Sequence, residues 1–312
     1  MDREQIENKH RDLIDRYGAW TSHNHQLKDD LYTFTKDQPK FEEQLTNHAV
    51  HMQRILQVVS DVIERPISSL RVLDLACLEG IYGLEFARHG AEVVAIEARE
   101  PNIEKARFAG EALGLSNITF VQDDVRNLSV EKYGEFDVVL CLGIFYHLNV
   151  PDVFHFAERI FEVCRRLAIV DTHIGLTANA SHQFKEHEYW GWTFREHNAD
   201  SSQADRLKQL WASLDNETSF WFTRPSIYNL LGNLGFSSVY SCSIPATPRK
   251  GPDSDTFVAL KGTRSKLLTT PTMNDQPLQH WPEQSQVGVY SAENKQVGPL
   301  RKLRRLAGRL VK

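Results

Sequence analysis

Val72-Leu73-Asp74-Leu75-Ala76-Cys77-Leu78-Glu79-Gly80 holds an apolar run too short for an independent helix, closed by a loop that ends on glycine. Helical spacing takes over at once, from Tyr82 to His89, and Gly90 ends it. Strand, tight loop and helix in that order open a parallel sheet covered by helices. The unit repeats downstream. Strands are predicted at Arg71 to Leu75, Glu92 to Glu97, Ile118 to Gln122, Asp137 to Leu142, Arg166 to Thr172, Ser237 to Ser243 and Thr256 to Lys261. Helices are predicted at Asn102 to Leu113, Val153 to Cys164 and Ser226 to Leu234. The expected fold class is α/β, a seven-stranded mostly parallel sheet with helices on both faces.

Four further segments surround or interrupt that body. Residues 1–69 form an extension, an aromatic and polar stretch (Tyr17, Trp20, His23, Asn24, Asp29, Tyr32) followed by a helix from Phe41 to Arg65. Within the body at 70–262, residues 174–222 are far longer than an ordinary connection of about 2 to 6 residues and read as an inserted cap. Tyr189, Trp190, Trp192 and Phe194, flanked by His182, His187 and His197, form an aromatic cluster there. Residues 263–298 are polar and rich in Pro, Gln and Asn, the composition of a disordered linker. Residues 299–312 place six Lys and Arg side chains among Leu300, Leu303, Leu306 and Leu310, an amphipathic basic segment. Its alternatives are contact with an anionic membrane surface, contact with RNA, or no partner.

A net charge of −5 argues against nucleic-acid binding through overall charge. Four cysteines without a CxxC pair indicate neither a zinc knuckle nor a disulfide framework, and no apolar run reaches the roughly 18 residues of a membrane span. A reducing cytoplasm is expected, with peripheral membrane contact confined to the tail.

In doubly wound sheets a nucleoside or dinucleotide binds beyond the carboxyl ends of the strands, and an acidic residue after the second strand accepts from the ribose diol. Glu97 ends Val93-Val94-Ala95-Ile96-Glu97 at that place. Together with Leu73-Asp74 and Gly80, it resembles the class I S-adenosylmethionine-dependent methyltransferase family, whose first motif runs hydrophobic-hydrophobic-Asp-x-Gly-x-Gly-x-Gly. Ala76 and Leu78 replace two of the glycines, and Leu78 is expected to point away. Phe120-Val121-Gln122-Asp123-Asp124-Val125 is similar to the family segment that meets adenine, and Phe136 to Leu148 to the strand and loop beside the methionine moiety.

The resemblance implies a Rossmann-like fold, S-adenosylmethionine as cofactor, and cofactor contacts from Asp74, Ala76, Cys77, Gly80, Glu97, Ala98, Asp123, Asp124, Val125, Cys141 and Gly143, with Asp124 at the adenine amino group. It also implies that Trp20 and Asn24 close over the cofactor as a lid. His147, in the loop after the fourth strand, and His173, after the fifth, are candidate bases, and Tyr146 a candidate cofactor or substrate contact; the alternative for each is packing, which the residue type favours for the two histidines. Asp171 and His173 share a strand face, but two ligands fall short of a metal site, and no metal is expected. The expected function is O-methylation of a small molecule or glycan. The alternatives are a tRNA-modifying methyltransferase, suggested by the Gly143-Ile144-Phe145-Tyr146-His147-Leu148 loop, and a catalytically silent partner protein.

Overall fold

The computed structural model describes residues 1–242 and 251–283. It opens on a helix absent from the expectations, α1 (Arg3–Tyr17), where Asp2 accepts from Gln5 N and the Gln5 side chain returns a bond to the Asp2 backbone. This reciprocal cap satisfies donors that a helix start leaves free. Only Ile6 and His10 of α1 are buried, so its hydrophobic stripe is too thin to register as a period. A small hairpin, β1 (Gln26–Lys28) and β2 (Leu31–Tyr32), and the helix α2 (Phe41–Val62) complete the extension.

The alternation then runs as expected: β3 (Arg71–Leu75), α3 (Ile81–Arg88), β4 (Glu92–Glu97), α4 (Glu100–Ala112), β5 (Ile118–Gln122), the short α5 (Val130–Tyr133), β6 (Phe136–Leu142), α6 (Asp152–Val163) and β7 (Cys164–His173). The insertion carries β8 (Ala180–Phe184), β9 (His187–Arg195), α7 (Gln203–Lys208) and β10 (Thr218–Phe222). Helix α8 (Arg224–Leu234), β11 (Ser238–Ser241) and β12 (Ser254–Leu260) close the body.

The seven strands lie in the order β11-β12-β7-β6-β3-β4-β5, and β12 alone runs against its neighbours. Leu73, Leu75, Val139 and Cys141 pack on one face with α6 and α8, while Val72, Val138 and Leu140 pack on the other with α2 and α3. Burial on both faces is why these strands read as unbroken apolar runs rather than alternating ones. Strand order reverses between β3 and β6, which opens a crevice at their carboxyl ends.

Two segments outside the main sheet carry structure of their own. The insertion is a three-stranded antiparallel sheet, β10-β9-β8, and Tyr189 lies beneath it against Phe154 and Phe222, while Trp192 and Phe194 stay exposed. The polar segment expected as a disordered linker is docked at 281–283. Glu283 accepts from Thr223 Oγ1 (2.9 Å) and Ser226 Oγ (2.8 Å) at the start of α8, and Trp281 stacks on Tyr228. A carboxylate at a helix N-terminus is electrostatically favoured, which offsets the lack of apolar residues. Residues 284–298 and the basic segment 299–312 lie outside the described residues. No helix among the described residues is long and apolar enough to cross a membrane.

Candidate functional site

Past β3 the chain turns through Ala76 (φ 53°), Leu78 (φ 49°) and Gly80 (φ 86°). All three lie in the left-handed region that glycine adopts freely and other L-residues at a cost of roughly 1–2 kcal/mol. The loop therefore keeps the backbone of a three-glycine turn with side chains at two of its positions. Ala76→Gly is expected to raise the unfolding free energy by under about 1 kcal/mol, because relief of strain is partly cancelled by chain entropy; urea titration measures it, and a clear loss of stability would contradict the strain.

A cavity opens over this loop. Of the residues expected to bind cofactor, Ala76, Glu97, Ala98, Asp124, Val125 and Gly143 line it, and so does Leu78. The others are placed elsewhere. Asp74 accepts from Gly83 N at 2.8 Å and ties α3 to β3; burial pushes its carboxyl up to about 7 against the pull of that N–H. Asp123 is turned to Lys132, Tyr133 and Asn127, which outweigh its burial and hold it at about 2. Cys77 and Cys141 are buried thiols raised well above their ordinary range by burial, and Gly80 packs against Ala106.

Glu97 is 3% exposed, and its oxygens accept from Leu78 N (3.0 Å) and Arg99 N (2.8 Å). Burial raises its carboxyl, and those N–H groups restrain the rise. A carboxylate offers about four lone-pair sites, so capacity remains for a diol facing the cavity. Both oxygens of Asp124 are already gripped by Arg126, at 2.6–3.1 Å, which leaves less for an adenine amino group than expected.

The extension is fastened to the loop by a residue the motif treats as a spacer. Glu79 is fully buried and accepts from three consecutive backbone groups, Thr21 N (2.9 Å), Ser22 N (3.0 Å) and His23 N (2.8 Å). Lys105, equally buried, lies 3.7 Å from it and donates to Ala19 O. Ser22 and His23 thereby reach the cavity wall. Trp20 and Asn24, expected as the lid, do not: Trp20 is buried between His10 and Phe108, and Asn24 bonds Phe34 N and Phe41 O.

His25 stands against the same loop, Nε2 2.8 Å from Glu79 O. Burial pushes its imidazole from 6.5 down to about 4, the carbonyl opposing only in part. Between those values the unfolded chain binds a proton that the folded chain refuses, so this group's contribution is lost as pH falls through that interval. His25→Gln is expected to lose less stability than the parent between pH 6.5 and 4. Parallel urea titrations at both pH values check it, and equal losses would refute it.

At the far end of the cavity stand Tyr146 and His147. His147 Nδ1 lies 3.0 Å from Oε1 of Glu196, whose side chain is only 2% exposed. Glu196 also accepts from Ser213 N (2.8 Å) and Ser219 Oγ (2.7 Å); burial would raise it, but His147 and these donors hold it below the usual range. A carboxylate only accepts, so Nδ1 carries the hydrogen, and in the neutral ring the lone pair is on Nε2. Nothing local in the sequence marks Glu196, 49 residues away, as the partner.

His173 does not line the cavity; its ring stacks on Trp221 and meets Tyr146 edge-on. Asp171 pairs instead with His51 Nε2 (3.0 Å) and accepts from Thr256 Oγ1 (2.8 Å). His51 Nδ1 in turn lies 2.6 Å from the hydroxyl of Tyr82, on the cavity wall. Among the described residues no group of three or more His, Cys, Asp or Glu could hold a metal ion.

Residues 72–167 match the family described as a methyltransferase domain. Ubiquinone biosynthesis O-methyltransferase of Acinetobacter baylyi is 32% identical over 108 residues, 35% of this chain and 43% of that protein. The protein of the same name from Ruegeria pomeroyi is 38% identical over 92 residues, 28% of this chain and 35% of that protein. The chain thus spans less than half the length of these relatives. The crystal structure of the N-terminal domain of EvdMO1 with SAH bound superposes with a TM-score of 0.62 at 21% identity, over 85% of this chain and 98% of that one. The same domain in the presence of SAH and D-fucose gives 0.58 at 20%, with the same coverage. The chain carries a methyltransferase domain over residues 72–167 and has the fold of the class I S-adenosylmethionine-dependent methyltransferases.

Proposed function

We propose that this protein is an S-adenosylmethionine-dependent O-methyltransferase acting on a small hydroxylated acceptor, a phenolic or sugar-type molecule. The observation that carries the reading is the His147–Glu196 pair on the wall of the cavity that Glu97 also lines, with Nδ1 engaged by the carboxylate and Nε2 left for an acceptor. Names of relatives support the acceptor atom, since those quoted are O-methyltransferases, and the D-fucose of the EvdMO1 structure supports a polyol.

The residues fit the cofactor: Glu97 has acceptor capacity for a ribose diol, and Ala76, Leu78 and Gly143 bring backbone to the cavity wall. When bound, the cofactor supplies an electrophilic methyl group on a sulfonium. His147 Nε2 takes the proton of the acceptor hydroxyl, and Glu196 steadies the imidazolium that forms while keeping the ring in one tautomer. Residues 210–215 of the insertion cover the cavity and limit water. All four cysteines are free thiols, which supports a reducing compartment, and the basic segment 299–312 supports contact with an anionic membrane surface.

Calorimetry with S-adenosylmethionine, followed by incubation of labelled cofactor with phenolic and sugar acceptors, tests the reading. Binding and label in an ether product are expected; absence of binding even at high cofactor concentration would overturn it. Glu97→Ala is expected to weaken cofactor binding about 10²-fold or more, since it removes hydrogen bonds to a charged group worth roughly 1.5–3 kcal/mol each.

A further inference from the structure

Two arginines follow the two carboxylates of the cofactor edge at the same interval, Arg99 after Glu97 and Arg126 after Asp124. Both reach up into the insertion. Arg99 donates to four carbonyls of one short segment: Leu207 O at 3.4 Å, Gln209 O at 3.2 Å, Ala212 O at 3.0 Å and Ser213 O at 3.3 Å. Arg126 pairs with Asp215 of the same segment at 2.7 Å. The segment therefore curls around a cation, with its carbonyl oxygens turned toward the guanidinium.

That segment holds the catalytic pair. Ser213 N donates to Glu196 Oε2 at 2.8 Å, and Glu196 Oε1 lies 3.0 Å from His147 Nδ1. Asn216 Nδ2, just beyond, donates to His147 O at 3.2 Å. At its other end Arg99 gives its own N–H to Glu97 at 2.8 Å. A chain of hydrogen bonds thus runs from Glu97 to His147 by way of Arg99, Ser213 and Glu196. The same cation attracts both Glu97 and Glu196.

We propose that Arg99 is a positioning residue for the base: it shapes segment 207–215 so that Ser213 N fixes Glu196, and Glu196 fixes the tautomer and orientation of His147. Occupancy at Glu97 is thereby felt at the reacting end, and cofactor recognition and base alignment share one element. The proposal rests on the reading of His147 as the base.

The test uses the full chain labelled with 15N-histidine, with His147→Asn assigning the His147 ring signals and S-adenosylhomocysteine affinity measured on the same samples. In the parent His147 is expected as a single Nδ1–H tautomer. Arg99→Gln is expected to give mixed tautomers and a loss of kcat of tenfold or more with a displaced acid limb of the pH profile. Arg99→Lys, which keeps the charge and loses the planar fork, is expected to restore the tautomer only in part and decides the matter if Arg99→Gln does not fold. A ring that stays wholly Nδ1–H in the folded variants would overturn the proposal. Failure of the parent to bind S-adenosylhomocysteine would instead strike at the functional reading, and the tautomer result would stand apart from it.

Discussion

Asparagine in place of His147 is expected to lower kcat for methyl transfer by about 10²–10⁴-fold, the usual contribution of a positioned general base. Cofactor affinity should change little under the proposed assignment, in which the imidazole serves the acceptor while Glu97, lining the same cavity, serves the ribose. The asparagine occupies similar volume but cannot carry the proton, so the loss falls on kcat rather than on cofactor binding. Steady-state kinetics with a turned-over acceptor, beside calorimetry, separates the two. A variant that retains the parental kcat would show that the acceptor ionises without help from this ring, and Glu196 would then be a packing carboxylate.

Glu79→Ala is expected to destabilise the fold by about 3–5 kcal/mol, the cost of removing one partner of a buried ion pair. Lys105 would stay buried without its counter-charge, and the N–H groups of Thr21, Ser22 and His23 would lose their acceptor together. Guanidinium or thermal unfolding measures the loss. A change below about 1 kcal/mol would mean that water or a rearranged backbone satisfies those groups. Because Ser22 and His23 line the cavity, cofactor affinity should fall with stability.

The central strands β3, β4, β6, β7 and β12 were legible because they carry near-continuous buried apolar runs, while β5 and β11, half-buried or exposed, were read from the glycines that precede them after the helices. Helix α1 was not, since its polar composition leaves only Ile6 and His10 inside. The strands of the insertion mix His, Trp and charged residues, and their pairing, Trp221 opposite Trp192 for example, exists only once the chain has turned back. At the site, Glu97 and His147 stood out by residue type at a strand end. Glu196, Arg99 and Arg126 did not, because each works by reaching a partner distant in sequence, such as Ser213 from Arg99 or Asp215 from Arg126. The pattern of glycines misled in a different way: the backbone at Ala76 and Leu78 preserves the turn that the residue types conceal.

The fastening of Glu79 also bears on where this protein can be cut. A chain shortened to begin at Leu70 would keep every strand of the main sheet and the whole segment 72–167 that matches the methyltransferase domain. It would nonetheless strip Trp20 from Phe108 and leave a glutamate and a lysine facing the space that residues 19–23 had filled. Such a truncation is therefore expected to fold poorly although it keeps the whole matched segment, because the groups that satisfy Glu79 and Lys105 lie at residues 19–23.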